Sequence, residues 1–483
     1  MQHIQDLGGF LKMSFDLIIK NGTIVTPIDT FNGDIGIKGE KIVSISQSLD
    51  DINAKVIDAK DKYIIPGGID THTHMEFPFM STTSADDFYS GTVSAVCGGI
   101  TTILDFTLQG AGESLMQAAK NWHVKADPKV VSDYSLHMIV RDLNDNVLSE
   151  LKEMIRYGIT SFKLFMTYRK EGLLLDDGSI YKIMEEVQKH GGLIGLHCEN
   201  NDLIEYLMSK FLKENKTSPK YFRLSKPEEV EEEAIQRAIL LARFAGAKIY
   251  VVHMSTASGR EQVIQSQLNK LPVFAETCPH YLVFTDDVYE RSDAAHFVMS
   301  PPIKRTEDRD SLWEGLASGD IQIVGSDHCN FTTEQKRLGK DDFTKIPNGV
   351  AGTEVIVPIL FSEGVRKNRI TLNQWVRITS YNPAKLFGLY PRKGTLSVGS
   401  DADIVIFDPE KKITLTKENL HSKQDHSIYE GITVTGWPVA TIVRGRMVQE
   451  NGKVLVDKGY GKFIPRKTFS ESDVSNLLAV AHV

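Results

Sequence analysis

Six residues of this chain, of types that can bind metals or move protons, fall at regular places. His72 and His74 close an apolar run in Gly-Gly-Ile-Asp-Thr-His-Thr-His, and Lys163, His197, His253 and Asp327 lie in or at the end of later runs. Side chains alternate along a strand, so His72 and His74 share a face and can converge on one cation. A single histidine at a strand end is ordinarily a hydrogen-bonded structural residue. Six metal-binding types at successive strand ends are harder to explain by packing, and together they point to a metal site. Lys163 poses a separate problem. An ammonium beside divalent cations is repelled and burial disfavours its charge, so it must be neutral, paired or chemically altered. Spacing alone leaves those options open, along with a lysine that snorkels to the rim.

Such a set needs a frame that gathers strand ends. Eight apolar segments are candidate strands: 63–74, 101–106, 135–140, 161–166, 193–199, 248–255, 273–282 and 321–328. Several are separated by amphipathic stretches such as 229–244. Alternating strand and helix over one long segment predicts an α/β fold, a (β/α)8 TIM-type barrel, whose catalytic groups collect at the C-terminal strand ends. A doubly wound sheet is the alternative, but the glycine-rich phosphate loop of its nucleotide-binding forms is missing.

The two ends of the chain read differently. Short strand patterns at 16–20, 23–26, 34–38 and 41–45 return at 403–407 and 440–444, and Asn21-Gly22 and Asn32-Gly33 read as hairpin turns. The expected organisation is a small β-sandwich domain built from 13–65 and 390–465, a barrel over 66–389, an N-terminal extension over 1–12 and a tail over 466–483. Composition excludes other classes. A net charge of -8, from 55 basic and 63 acidic residues, gives no polyanion-binding surface, so nucleic acid is not an expected partner. No apolar run reaches the roughly 20 residues of a membrane span, and residues 1–12 lack the pattern of a signal peptide, so no membrane is expected. The four scattered cysteines form no CxxC pair, which fits a reducing cytoplasm.

Pro66-Gly-Gly-Ile-Asp-Thr-His-Thr-His74, Ser161-Phe-Lys-Leu-Phe-Met-Thr-Tyr168, His197-Cys-Glu-Asn200, Val252-His253, Met299-Ser-Pro-Pro302, Ser326-Asp-His-Cys329 and Asp342-Phe-Thr-Lys-Ile-Pro-Asn-Gly349 follow one another along the chain. In these motifs the sequence resembles the dihydropyrimidinase/hydantoinase group of the amidohydrolase superfamily, from about Asp16 to Lys462-Phe-Ile-Pro-Arg466. The resemblance implies two zinc ions per chain, bridged by an N6-carboxylated Lys163 and a hydroxide. His72, His74 and Asp327 would hold one ion with Lys163, and His197 and His253 the other. It further implies that Tyr168 stabilises an oxyanion, that Asp327 serves as base and then acid, and that the backbone around Ser300 and Asn348 binds the ring. The implied reaction opens dihydropyrimidines such as dihydrouracil, or 5-substituted hydantoins, to N-carbamoyl amino acids, as in pyrimidine catabolism. A homotetramer or dimer is the implied assembly.

Two alternatives have sequence handles. Allantoinases and dihydroorotases use the same metal cage, but dihydroorotase-type sites place an arginine after the histidine pair, where this chain has Met75-Glu-Phe-Pro-Phe79. Non-catalytic relatives of dihydropyrimidinase have lost metal ligands, whereas all six positions are filled here. One departure concerns the substrate: Val350-Ala-Gly-Thr-Glu-Val-Ile-Val357 lacks the acidic–basic pair that many relatives carry after the glutamate.

Other chemistry-bearing residues read as structural. Cys198 and His328 adjoin ligand positions but alternate to the opposite face. His137 is expected in the core and His280 in structural hydrogen bonding. The acidic run 228–233 reads as a solvated helix start. Met75, Phe77, Phe79 and Phe165 are candidates for the apolar wall of a pocket.

Overall fold

The computed structural model describes residues 14–468 and 477–478. The expected N-terminal extension and most of the tail lie outside the described residues.

Eight parallel strands form the centre: Gly68–Thr73, Ile100–Leu108, Asp133–Ile139, Ser161–Phe165, Leu193–His197, Ile249–Val251, Val273–Thr277 and Ile323–Val324. They pair in sequence order. First and last meet through a parallel bridge between Thr73 and His328, so the barrel is nearly closed. Helices follow the strands, and polar caps fix where the loops end: the side chains of Asn200 and Thr256 accept from Leu203 N and Gly259 N just beyond the fifth and sixth strands. Such caps contribute about 1 kcal/mol each.

All eight predicted strands are present, and most are shorter at their C-terminal ends than their apolar runs. The run 63–74 is two strands in different sheets, Tyr63–Pro66 and Gly68–Thr73. They part at Gly67, where an added Cβ would collide with the Thr101 side chain. The run 273–282 ends as a strand at Thr277 and becomes the helix Pro279–Val283. The sixth and eighth strands stop before His253 and Asp327, which take φ of +38° and +48° and cannot continue a ladder.

Strands from both chain ends make one mixed sheet. Leu17–Val25 pairs antiparallel with Thr30–Lys38 and parallel with Tyr63–Pro66, which pairs with Ile404–Thr414, followed by Thr433–Val443 and Arg446–Glu450. The sheet turns back on itself where Lys41 pairs with Asp401. Ile19, Ile35 and Ile64 therefore share a core with Ile404 and Ile442. The two Asn-Gly pairs are not turns, which corrects the hairpin expectation. Gly22 and Gly33 face each other in mid-ladder, and Asn21, at φ +63°, forms a bulge beside them. A side chain on Gly22 would run into Ile64 at 2.5 Å, so close packing explains that glycine. A buried ionic cluster joins this sheet to the barrel: Lys393 lies 2.6 Å from both Asp133 and Asp403, and Arg444 contacts Asp133 at 3.0 Å.

Candidate active site

The barrel mouth brings the six candidate residues into one pocket. Its lining includes His72, His74, Lys163, His197, His253 and Asp327, together with Tyr168, Ser300 and Asn348. The pocket is a cleft of about 440 Å³ when its open mouth is counted. Phe77, Phe79, Phe165 and Leu173 form its apolar wall. Met75 is not in that wall; it is buried beneath the helix Phe88–Cys97, against Gly91.

One binding set is explicit. The ligand atoms of His72, His74 and Asp327 all lie within 4.8 Å of one another. Asp327 Oδ1 is 3.2 Å from His72 Nε2 and 3.3 Å from His74 Nε2. The other pair, His197 and His253, has ring centroids 4.5 Å apart. Lys163 is buried, its ammonium 5.2 Å from the Phe106 ring and 5.1 Å from that of Phe165. Among the described residues no carboxylate forms an ion pair with it, and burial pushes its basicity down.

The electrostatics suit a cation. Burial holds His72, His197 and His253 below the ordinary histidine value, His197 at about 4, so they are neutral and their lone pairs free. For Asp327 burial acts upward, but His72, His74 and Lys163 outweigh it and keep the carboxyl well below its usual range. Buried polar atoms without a partner are rare, yet among the described residues His72 Nε2, His74 Nδ1 and His253 Nδ1 have no hydrogen bond. His72 Nε2, orphaned and 3.2 Å from the Asp327 carboxylate, fits a divalent metal ion. Three pocket residues also stand in the left-handed backbone region: Tyr168 at φ +66°, His253 and Asp327. Each costs about 1–3 kcal/mol, strain that surrounding structure must hold in place.

Two glutamates that the sequence reading passed over orient the ligands. Glu276 Oε1 lies 2.6 Å from His72 Nδ1 and Glu199 Oε2 2.6 Å from His197 Nε2, leaving the opposite ring nitrogen of each histidine for a metal. Both are fully buried. Thr71 donates to Glu276, and Lys226 and Ser300 donate to Glu199. Burial acts upward on Glu199, but Lys226 and His197 outweigh it and hold the carboxyl ionised. The signals were in the sequence: Glu199 stands two residues beyond His197 on the same face, and Glu276 is a lone charge in an apolar strand. Removing such a partner typically costs 10–100-fold in metal affinity. Glu276→Gln is therefore expected to lose metal to a competing chelator about 10–100-fold more readily while still folding. Unchanged retention would show that His72 needs no carboxylate.

The structural expectations divide. His137 is a core residue, bonded to Ser161 Oγ at 2.6 Å and Thr71 O at 3.1 Å. His328 turns from the pocket to Asp86, 2.9 Å away, and Cys198 is buried in the core. His280 is a correction: neither ring nitrogen has a hydrogen-bond partner among the described residues, and the ring packs edge-on against Tyr281 at 4.2 Å. Glu231 is another. It is buried, not solvated, and takes Ser255 N and Oγ at 2.8 and 2.7 Å, because its helix packs inward over the end of the sixth strand. Glu354, in the departing segment, is bound to His421 N and Nδ1 at 2.8 and 2.7 Å and is absent from the pocket lining.

The fold and site define a barrel hydrolase, and the Amidohydrolase family matches residues 63–448; the chain belongs to that family. At finer grain it is 45% identical to a D-hydantoinase of Geobacillus stearothermophilus over 456 residues, 94% of this chain and 97% of that one. A D-hydantoinase of Ralstonia pickettii is 42% identical, covering 94% of this chain and all of the other. The crystal structure of a dihydropyrimidinase from Brevibacillus agri superposes with a TM-score of 0.93 at 45% identity, covering 94% and 99% of the two chains.

Proposed function

We propose that this chain hydrolytically opens cyclic amide rings, dihydropyrimidines such as dihydrouracil or 5-substituted hydantoins, to N-carbamoyl amino acids. The observation that carries the reading is the convergence of four histidines, Lys163 and Asp327 beneath an apolar wall. Names of the similar proteins, hydantoinase and dihydropyrimidinase, agree with it.

His72, His74 and Asp327 would hold one divalent metal and His197 and His253 a second, with Lys163 as a shared ligand once carboxylated; zinc suits the nitrogen and oxygen donors. Bound there, the metals supply Lewis-acid polarisation of the amide carbonyl and acidify water at neutral pH. The chain's own residues supply the rest. Asp327 takes the proton of the attacking water and returns it to the ring nitrogen as the C–N bond breaks. Tyr168 donates its phenolic hydrogen to the developing oxyanion. Burial keeps that phenol protonated, and Asn348 Nδ2 donates to its oxygen at 3.0 Å, which aims it. Backbone groups at Ser300 and Asn348 hold the ureide edge, and Phe77, Phe79 and Phe165 receive the ring substituent.

A dihydroorotase reading is less favoured, since the lining offers no arginine for a substrate carboxylate and Glu76 is turned away to Lys129. A scaffold has no need of the full set. No helix among the described residues is long and apolar enough to cross a membrane. The four cysteines are free and buried, which suits the cytoplasm, and the working form is a homotetramer or dimer on resemblance.

The test is side-by-side turnover of dihydrouracil, hydantoins, allantoin and dihydroorotate by protein purified with zinc and bicarbonate, with metal content measured on the same sample. Opening of dihydrouracil or a hydantoin with about two metals per chain is expected. Turnover of allantoin or dihydroorotate alone would overturn the substrate assignment, and a metal-free inactive protein the whole reading.

A further inference from the structure

Lys336 is a buried lysine that the mechanism above does not use. Its ammonium has three N–H donors, and three main-chain carbonyls take them: Val298 at 2.7 Å, Pro347 at 2.7 Å and Gly349 at 2.8 Å. Among the described residues no carboxylate forms an ion pair with it. A cation held in the interior by neutral dipoles alone is an expensive arrangement.

The three carbonyls come from two segments that line the pocket together. Val298 stands two residues before Ser300, while Pro347 and Gly349 flank Asn348. Gly349 N donates to Val298 O at 2.9 Å, so the segments touch directly and Lys336 braces the junction. Gly349 has φ +146°, and a side chain there would collide with the Cys329 carbonyl. One detail links the brace to recognition. The Pro347 carbonyl shares its peptide with the N–H of Asn348, which makes no hydrogen bond within the described chain. Hydrogen bonding at the oxygen of a peptide strengthens the donor at its nitrogen.

We propose that Lys336 is a positioning residue for substrate recognition: it fixes segments 298–300 and 347–349 against each other and polarises the Asn348 N–H toward a carbonyl oxygen of the cyclic amide. The proposal rests on the ring-opening reading and adds the residue that sets ring affinity. Its effect belongs to binding, because it touches neither the histidine cluster nor Asp327.

Steady-state kinetics of Lys336→Gln and Lys336→Met, on metal-loaded protein and whichever cyclic amide the unaltered chain opens, test this. KM is expected to rise about tenfold in the glutamine variant and further in the methionine variant, with kcat within about threefold and metal content unchanged. If the methionine variant fails to fold, as judged by circular dichroism, the glutamine variant carries the comparison, since its amide keeps two N–H donors. A KM within twofold of the unaltered chain in the folded glutamine variant, or a fall in kcat alone, overturns the proposal. Should the unaltered chain open no cyclic amide, the ring-opening reading fails separately. Calorimetric affinity for hydantoin then decides Lys336, and equal affinity in chain and variant overturns it.

Discussion

Lys163→Ala is expected to lower kcat/KM by about a thousandfold or more and to release much of the bound metal, with both partly restored by acetate or propionate in solution. The structural grounds are the buried placement of Lys163 and, among the described residues, the absence of a direct ion pair to it. The fourth strand sets Lys163 beside Ile139 on one neighbour and Gly195 on the other, within the barrel wall. Gly195 makes room for the Tyr250 ring, which an added Cβ would meet at 2.6 Å. Burial lowers the basicity of the amine, and the neutral amine is the form that attacks carbon dioxide. In that step the nitrogen lone pair forms an N–C bond, one carbonyl π bond moves to oxygen, and a proton leaves to solvent. On the proposed reading, carboxylation would turn this buried amine into an anionic ligand that two metals could share. Alanine removes that ligand and opens space for a small carboxylate in its place. Full activity in the alanine variant would refute the bridging role, and loss of fold, read by circular dichroism, would assign Lys163 to structure alone.

Asp327→Asn should retain metal and substrate but lower kcat by about 10³–10⁴-fold. Asparagine keeps the volume and an oxygen ligand but cannot accept the proton of water or deliver it to the ring nitrogen. It also tolerates the left-handed backbone that Asp327 adopts at φ +48°, so the barrel closure through His328 should survive. His72 O accepts from His328 N at 3.2 Å and His328 O from His74 N at 2.9 Å, and neither bond involves the Asp327 side chain. The variant therefore separates proton transfer from assembly. KM and metal content near those of the unaltered chain with kcat collapsed is the expected result. Near-normal turnover would mean that another group is the base.

Much of the barrel could be read from the chain because a parallel sheet covered by helices demands apolar strands at a steady interval, and eight such runs are present. Their ends could not be read. Periodicity does not register a change of backbone region, and it is at His253 and Asp327 that the chain leaves the sheet. Asn21-Gly22 and Asn32-Gly33 misled for a related reason. A hairpin turn and a bulge both accept left-handed residues, and only the pairing of Gly22 with Gly33 distinguishes them. Glu231 shows the same limit for charge. An acidic residue in a helix's first turn is ordinarily solvated, and nothing local reveals that this helix lays Glu231 against Ser255.

By itself the sequence determined the alternation of strand and helix, the order of the candidate ligands and the apolar character of the residues after His74, since each depends on residue type and short-range spacing. Tertiary structure decided what depends on distance in space. It drew His72, Lys163 and His197 from three strands, and His253 and Asp327 from just beyond two more, into one pocket, and set Glu276 behind His72 across 204 residues. It also placed Lys336 under the carbonyls that flank Asn348. Hydrogen bonds and coordination act over a few ångströms, and barrel closure alone brings such distant residues that close.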